Sequence, residues 1–355
     1  MVLALAIGAV GGAVFAWLRM PLAWMMGAMC LTTVASLARA PIRVPTPLRQ
    51  FMIAVLGIML GSAFRPEMLD QAGQWGISLA GLFVYVAVVA AMVACYFRWV
   101  GRYDPTTAYF AAIPGGLSEM IMVGGASGGD ERTIALTHAS RILIVVLIIP
   151  FWFRLVEGYV PPPGGIGSAF PPFMDVPAYD LMVLTLCGVI GYPLARWIGA
   201  PAAPLTGPMV LSAIAHLTVM TSSRPPSELI IVAQVVIGSG IGCRFAGIAL
   251  ARVLRAIFVA LGATAIMLGV GVAFSLVMGA LTGLPVEALT LAYAPGGLAE
   301  MSLIALALGI DPALVSTHHV VRIFIVVLLA PFAFKVFMRY RDRRRDAARQ
   351  PAKGD

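Results

Sequence analysis

The stretch that decides the fold is PGGLSEM at residues 114–120, which recurs as PGGLAEM at residues 295–301. The copies are 181 residues apart, and the gap-free alignment at that offset covers 38 positions, of which 18 are identical. It includes a second repeated motif, RILIVVL at residues 141–147 and RIFIVVL at residues 322–328. Two motifs with one shared offset indicate an internal duplication.

Weaker matches extend the duplication over most of the chain. Near the same offset, small and aromatic residues recur in matched pairs, namely Gly8 and Gly188, Gly11 and Gly191, Trp17 and Trp197, Gly57 and Gly238, and Gly61 and Gly242. A run of prolines and glycines lies between the copies and is incompatible with helix. We predict repeat one at 1–158, a Pro/Gly-rich connection at 159–178, repeat two at 179–338 and a basic cytoplasmic tail at 339–355.

The composition is that of a membrane protein. Of the 355 residues, 60% are hydrophobic and only 11% are charged, and the mean hydropathy is +0.95. A soluble domain carries about 25% charged residues. The long apolar runs show no period-two alternation, so they predict transmembrane helices and an all-α integral membrane protein. None of the four cysteines has metal-ligand spacing, and we interpret all four as packing thiols.

Each repeat contains six apolar segments, and Pro-Gly-Gly interrupts the fifth. A break at membrane depth has to be buried in protein or line a cavity. Basic loops follow even-numbered segments in repeat one and an odd-numbered segment in repeat two; examples are Arg43, Arg98 and Arg252. Five crossings per repeat place all these loops in the cytoplasm. We predict inverted repeats with about 10 transmembrane helices and two broken or re-entrant segments; 12 transmembrane helices with parallel repeats are the alternative.

Ionisable residues at membrane depth are costly and are candidates for function. The duplicated candidates and their adjoining glycines are Gly115, Gly116, Glu119, His138, Arg141, Gly296, Gly297, Glu300, His319 and Arg322. Asp130 and Asp311 precede the last helix of each repeat, and we interpret them as N-caps.

Two interpretations of the candidates stay open. In the structural one, each Glu caps the half-helix after the break and forms a buried salt bridge with the Arg of the next segment. In the functional one, backbone N–H groups at the breaks and the arginines bind an anionic substrate, while the Glu and His residues couple proton movement.

The doubled Pro-Gly-Gly-Leu-[Ser/Ala]-Glu-Met motif, each copy followed by His-x-x-Arg-Ile and an apolar run ending in Pro-Phe, resembles the bacterial AbrB membrane protein family. The resemblance covers essentially the whole chain. It implies one of three labels used for that family: transport protein, putative ammonia monooxygenase, or regulator of gene expression. It implies no particular site residues.

The residues favour the first of these labels. No metal, flavin, nucleotide or hydrolase motif is present, so we expect no enzyme activity, no cofactor and no metal. Only the basic tail is available for direct nucleic-acid binding, which argues against it. We expect a multi-pass protein of the bacterial inner membrane with cytoplasmic termini, in contact with the lipid bilayer and an unidentified small molecule. A sensor that acts indirectly on gene expression is the alternative, and a homo-oligomer stays open.

Overall fold

The computed structural model describes residues 1–66, 68, 72–155, 158 and 170–349. Within these ranges the chain forms 14 α-helices and no strand, which confirms the predicted all-α class. Residues 159–169 of the predicted connection and 350–355 of the predicted tail lie outside the described residues. The rest of the tail, 339–349, continues the last helix.

Each repeat contributes seven helices in the same order. Those of repeat one are α1 (Val2–Trp17), α2 (Ala23–Leu37), α3 (Thr46–Gly61), α4 (Ala72–Trp99), α5 (Pro105–Ala112), α6 (Leu117–Ala126) and α7 (Glu131–Leu155). Those of repeat two are α8 (Ala178–Trp197), α9 (Ala203–Leu217), α10 (Ser227–Gly242), α11 (Leu250–Thr282), α12 (Val286–Tyr293), α13 (Leu298–Ala307) and α14 (Pro312–Arg349).

Six of the described helices are long and apolar enough to cross a bilayer, namely α4, α7, α8, α10, α11 and α14. The apolar helices α1, α2, α3 and α9 have only 15 or 16 residues. At 1.5 Å per residue they are about 24 Å long, somewhat less than the roughly 30 Å hydrocarbon core. Together these helices support a multi-spanning membrane protein, and the count of about 10 crossings stays a prediction.

The helices form two groups, and both repeats contribute to each group. In the first group α2 packs against α1 and α10, and α9 packs against α3 and α8. In the second group α11 packs against α4, α7 and α12, while α5 and α6 pack against α7, and α12 and α13 against α14. The repeats are therefore interleaved rather than placed side by side.

The directions of the helices show that the repeats are inverted. Gly57 contacts the backbone of Leu205, and Gly61, one turn later, contacts that of Met209, so α3 and α9 run parallel. Glycines of α10 approach α2 in the same parallel manner. The third helix of each repeat thus runs parallel to the second helix of the other repeat. With 12 crossings and parallel repeats, these helices would be antiparallel.

In repeat one, the interrupted fifth segment turns back on itself. The Asp130 N–H, just after α6, donates to the Thr107 hydroxyl in the first turn of α5, at 2.8 Å. Gly124, near the end of α6, also packs against Phe110 of α5. The segment therefore begins and ends on one side, as a re-entrant hairpin. Its half-helices have 8 and 10 residues, or about 12 and 15 Å, so neither alone spans a bilayer.

The inverted arrangement predicts which loops share a side of the membrane. In a cysteine-free background, cysteines replacing Arg43 and Arg252 should react with an impermeant maleimide from one side. Cysteines replacing Arg65 and Arg224 should react from the other side, because these two arginines line one cavity. Labelling of positions 43 and 252 from opposite sides would contradict the inverted arrangement.

Candidate functional site

The two Pro-Gly-Gly breaks have the same geometry. In the first, α5 ends at Ala112, and α6 begins after Gly116, whose extended backbone has φ −62° and ψ 129°. In the second, α12 ends at Tyr293, and α13 begins after Gly297, with φ −76° and ψ 153°. Each break leaves the last carbonyl oxygens of one half-helix and the first N–H groups of the next without helical partners.

In repeat one, α7 supplies partners for the carbonyls of α5. His138 Nε2 donates to the Phe110 carbonyl oxygen at 3.0 Å, and Arg141 Nη1 donates to that of Ile113 at 3.4 Å. Arg141 Nη2 also donates to His138 Nδ1 at 3.1 Å, so the proton of the neutral imidazole lies on Nε2. The guanidinium thus stands at the negative end of the α5 dipole, where a cation is stabilising.

Repeat two has the same contacts in a tighter form. His319 Nε2 donates to the Leu291 carbonyl oxygen at 3.0 Å. Arg322 donates to the carbonyl oxygens of Ala294 at 2.6 Å and Gly296 at 2.7 Å, and to His319 Nδ1 at 2.8 Å. Both Arg and both His side chains are buried. Because an arginine occupies Nδ1 of each His, neither imidazole can accept a second proton without losing that bond, which weakens the proton-coupling hypothesis.

The predicted salt bridges between the repeated Glu and Arg residues do not form. Among the described residues, no hydrogen bond or ion pair joins Arg141 to Glu119 or Arg322 to Glu300, because each arginine is held by backbone carbonyls. The two carboxylates instead fold back toward the start of their own half-helices. A Cβ added at Gly116 or Gly297 would collide with the Glu carboxylate three residues later, so glycine makes room for it.

The breaks also have charged and polar neighbours that sequence reasoning did not select. Glu300 interacts electrostatically with Arg49 and Arg244, and His138 interacts with Arg244. Arg141 and Arg322 interact with each other and with the fully buried Tyr85. By sequence alone, Arg49 and Arg244 are only further members of the basic loops that predict the orientation of the chain. Both lie at the ends of third segments, far in sequence from the interrupted fifth segments, so no sequence signal connected them with the breaks.

The aspartates that precede the last helix of each repeat are N-caps, as predicted. Asp130 Oδ1 accepts from the N–H groups of Arg132 at 3.0 Å and Thr133 at 3.3 Å. Asp311 Oδ1 accepts from the Ala313 N–H at 2.8 Å. The hydrogen bond from the Thr133 hydroxyl lowers the pKa of Asp130, whereas burial raises the pKa of Asp311. The two caps therefore share a role but differ in exposure.

The contacts of the two arginines predict unequal stability losses. Arg322→Met should lower the melting temperature more than Arg141→Met. Arg322→Met leaves two closely bonded carbonyl oxygens without a donor, whereas Arg141→Met leaves one, which was bonded at 3.4 Å. Each buried carbonyl left without a donor costs about 1–3 kcal/mol of stability. Differential scanning fluorimetry in detergent measures both. Arg132→Met, at an exposed position of α7, is the control and should change little. Equal losses at both sites would contradict this account.

Because Glu119 and Arg141 do not pair, their removal should not be compensating. Glu119→Gln combined with Arg141→Met should destabilise by the sum of the single effects, within about 0.5 kcal/mol. A salt bridge would instead make the double variant markedly more stable than that sum. Unfolding of the four proteins of this cycle in a denaturant series is the measurement, and recovery of stability in the double variant would restore the salt-bridge interpretation.

Comparisons with known proteins identify the family of this chain. A family model described as "Transition state regulatory protein AbrB" matches residues 24–338. The chain is 27% identical to "Uncharacterized protein YhjN" of Bacillus subtilis (strain 168) over 362 residues, which covers 96% of this chain and 94% of that protein. It is 24% identical over 341 residues to "Putative regulator AbrB" of Escherichia coli (strain K12), covering 93% and 94%. The chain therefore belongs to the AbrB family.

Proposed function

We propose that this protein is a secondary transporter of a small anionic metabolite, with its substrate site at the two Pro-Gly-Gly breaks. The observation that carries the proposal is that one helix, α14, supports the second break through Arg322 and also packs against the first break. The first break packs on α14, where Gly115 contacts Val326 and the Tyr109 hydroxyl donates to the Ala330 carbonyl oxygen at 2.8 Å. Interrupted helices at the interface of inverted repeats are a recurrent substrate site in transporters.

The charge at the breaks favours an anionic substrate. Arg141 and Arg322 are buried, and their mutual electrostatic interaction is repulsive. Within the described part of the chain, neither forms an ion pair with Glu119 or Glu300, and the Nε atom of each has no hydrogen-bond partner. A buried cation without a counter-charge is costly. An anion between the repeats would offset that cost and would use donors that are otherwise idle.

We further propose that the protein lies in the bacterial inner membrane with both termini in the cytoplasm. The basic loops support this orientation, since α2 and α10 run parallel and the loops after them therefore lie on one side. Loops rich in Lys and Arg remain in the cytoplasm during insertion.

Transport can be measured before the substrate is identified. Purified protein in proteoliposomes should give transient currents on a solid-supported membrane after jumps of at least one anion among acetate, lactate, succinate and phosphate. Gly116→Leu and Gly297→Leu should abolish the currents, because each side chain displaces the neighbouring Glu carboxylate and closes the break. Gly269→Leu is the matched control, since a side chain there meets open space on α11.

Several outcomes would contradict the transport proposal. Full currents in both break variants would place the substrate path elsewhere. Loss of folded protein in both variants, seen by size-exclusion chromatography, would identify the breaks as packing devices. In that case the smaller changes Gly116→Ala and Gly297→Ala, with currents normalised to folded protein, decide whether the breaks matter for transport.

A second candidate function is a membrane-embedded sensor that acts indirectly on gene expression. The printed names of the matching family model and of the Escherichia coli relative, which refer to regulation, favour it. A sensor should bind its ligand, and therefore melt at a higher temperature with it, without producing currents in proteoliposomes. Currents that depend on the breaks would favour the transporter.

A further inference from the structure

We propose that a cavity between the ends of α3 and α13 binds a small monocarboxylate with an apolar body, such as a fatty or aromatic acid. This α3–α13 cavity has a volume of about 320 Å³, at the lower end of the range for small-molecule pockets. Leu60 at the end of α3, Leu306 at the end of α13, Pro312 at the start of α14 and Arg224 before α10 all line it. Among the described residues of its wall, none belongs to a Pro-Gly-Gly break, so the inference goes beyond the proposed function.

Two arginines from different repeats line the α3–α13 cavity. Arg65 follows α3 of repeat one, and Arg224 precedes α10 of repeat two. Burial and the nearby Arg65 guanidinium both lower the pKa of Arg224, as expected for two cations beside one space. A guanidinium presents a planar fork of N–H donors that a carboxylate can accept through two parallel hydrogen bonds. An anion in the cavity would therefore offset the repulsion between the arginines.

The rest of the cavity wall is mostly apolar. The buried side chains of Met59, Leu60 and Phe170 form part of it, together with the partly exposed Leu306 and Ile310. Acetate or inorganic phosphate would leave these surfaces in contact with water. A ligand whose carboxylate meets the arginines and whose hydrocarbon part covers this wall gains from both contacts. The combination indicates an apolar acid rather than a small hydrophilic anion.

One carboxylate also lines the cavity and bears on the charge of the ligand. Asp311 Oδ1 accepts from the Ala313 N–H at 2.8 Å and thereby caps α14. Two arginines and one aspartate leave a single positive charge among the described side chains of the wall, which matches a monoanion. A dicarboxylate would bring a second negative charge close to Asp311.

The duplication supplies a matched control. At the offset of 181 residues, Arg224 corresponds to Arg43 and Arg65 corresponds to Ala246. The equivalent place in the other half of the molecule therefore has one arginine of the pair instead of two. Arg43 is exposed and is not among the described residues that line the α3–α13 cavity.

The test uses the full-length protein in detergent and isothermal titration calorimetry with hexanoate, benzoate, acetate and hexanol, each corrected for a titration into empty micelles. Hexanoate and benzoate should bind about tenfold more tightly, or better, than acetate, which lacks an apolar body, and than hexanol, which lacks the charge. Arg65→Gln and Arg224→Gln should each weaken hexanoate and benzoate binding by about tenfold, because each removes charge-assisted hydrogen bonds.

Three further variants separate charge from shape. Ala63→Leu fills part of the cavity and should weaken hexanoate binding more than acetate binding. Asp311→Asn removes the negative charge but keeps a side chain that can cap α14, so hexanoate should bind more tightly. Arg43→Gln removes an exposed positive charge elsewhere and should leave every affinity unchanged.

The opposite results would overturn the proposal. Equal losses in Arg43→Gln and Arg224→Gln would reveal general surface attraction instead of a site. Hexanol binding as tight as hexanoate would remove the role of the arginines, and weaker hexanoate binding in Asp311→Asn would reject the monoanion class. Absence of hexanoate and benzoate binding to the unmodified protein would reject the site as a whole. If circular dichroism shows that Arg224→Gln is unfolded, Arg65→Gln at its exposed position decides.

The binding test and the transport test fail in distinguishable ways. Hexanoate binding with the expected signs, together with proteoliposomes that give no current, would retain the cavity site and reject transport. Currents that depend on the breaks, in a protein that binds neither hexanoate nor benzoate, would retain transport and reject the cavity site.

Discussion

The need to satisfy backbone carbonyls inside a bilayer governs this structure. Interrupting a helix at membrane depth exposes carbonyl oxygens that no lipid can bond, and each unsatisfied group is costly. In both repeats the His and Arg side chains of the His-x-x-Arg motif donate hydrogen bonds to these carbonyl oxygens, each of which lies 28 residues earlier in the chain. The helix break is therefore stable only because these His and Arg side chains bond its carbonyl oxygens. Any ligand at the break would lie next to the same two side chains.

The duplicated elements have diverged in their packing. Half-helix α13 is almost entirely buried, whereas α6 buries only Met120 and Gly124. Arg322 reaches two backbone carbonyls and Arg141 reaches one. The two arginines that interact with Glu300, Arg49 and Arg244, correspond to Ile230 and Ala63 in the other repeat. The break of repeat two is therefore more buried and more fully hydrogen-bonded than the break of repeat one.

Sequence reasoning succeeded where a pattern is local or is repeated. The shared offset of the two motifs defined the repeats, the positions of Arg43, Arg98 and Arg252 indicated inversion, and the place of Asp130 before an apolar run identified an N-cap. It failed where the answer depends on which groups meet in space. A Glu and an Arg on successive segments suggest a salt bridge, but the nearest acceptors for Arg141 proved to be carbonyls, which every residue has and no motif displays.

The interleaving of the repeats has a consequence for how the protein is made. Gly57 packs against Leu205, so α3 lacks its contact with α9 until the chain has been synthesised from residue 57 to residue 205. At about 5–20 residues per second that delay is roughly 7–30 seconds. During that time the glycine-lined face of α3 is without the helix of repeat two that packs against it. Biogenesis of this protein therefore includes an interval in which the first half is inserted while its contacts with the second half have not formed.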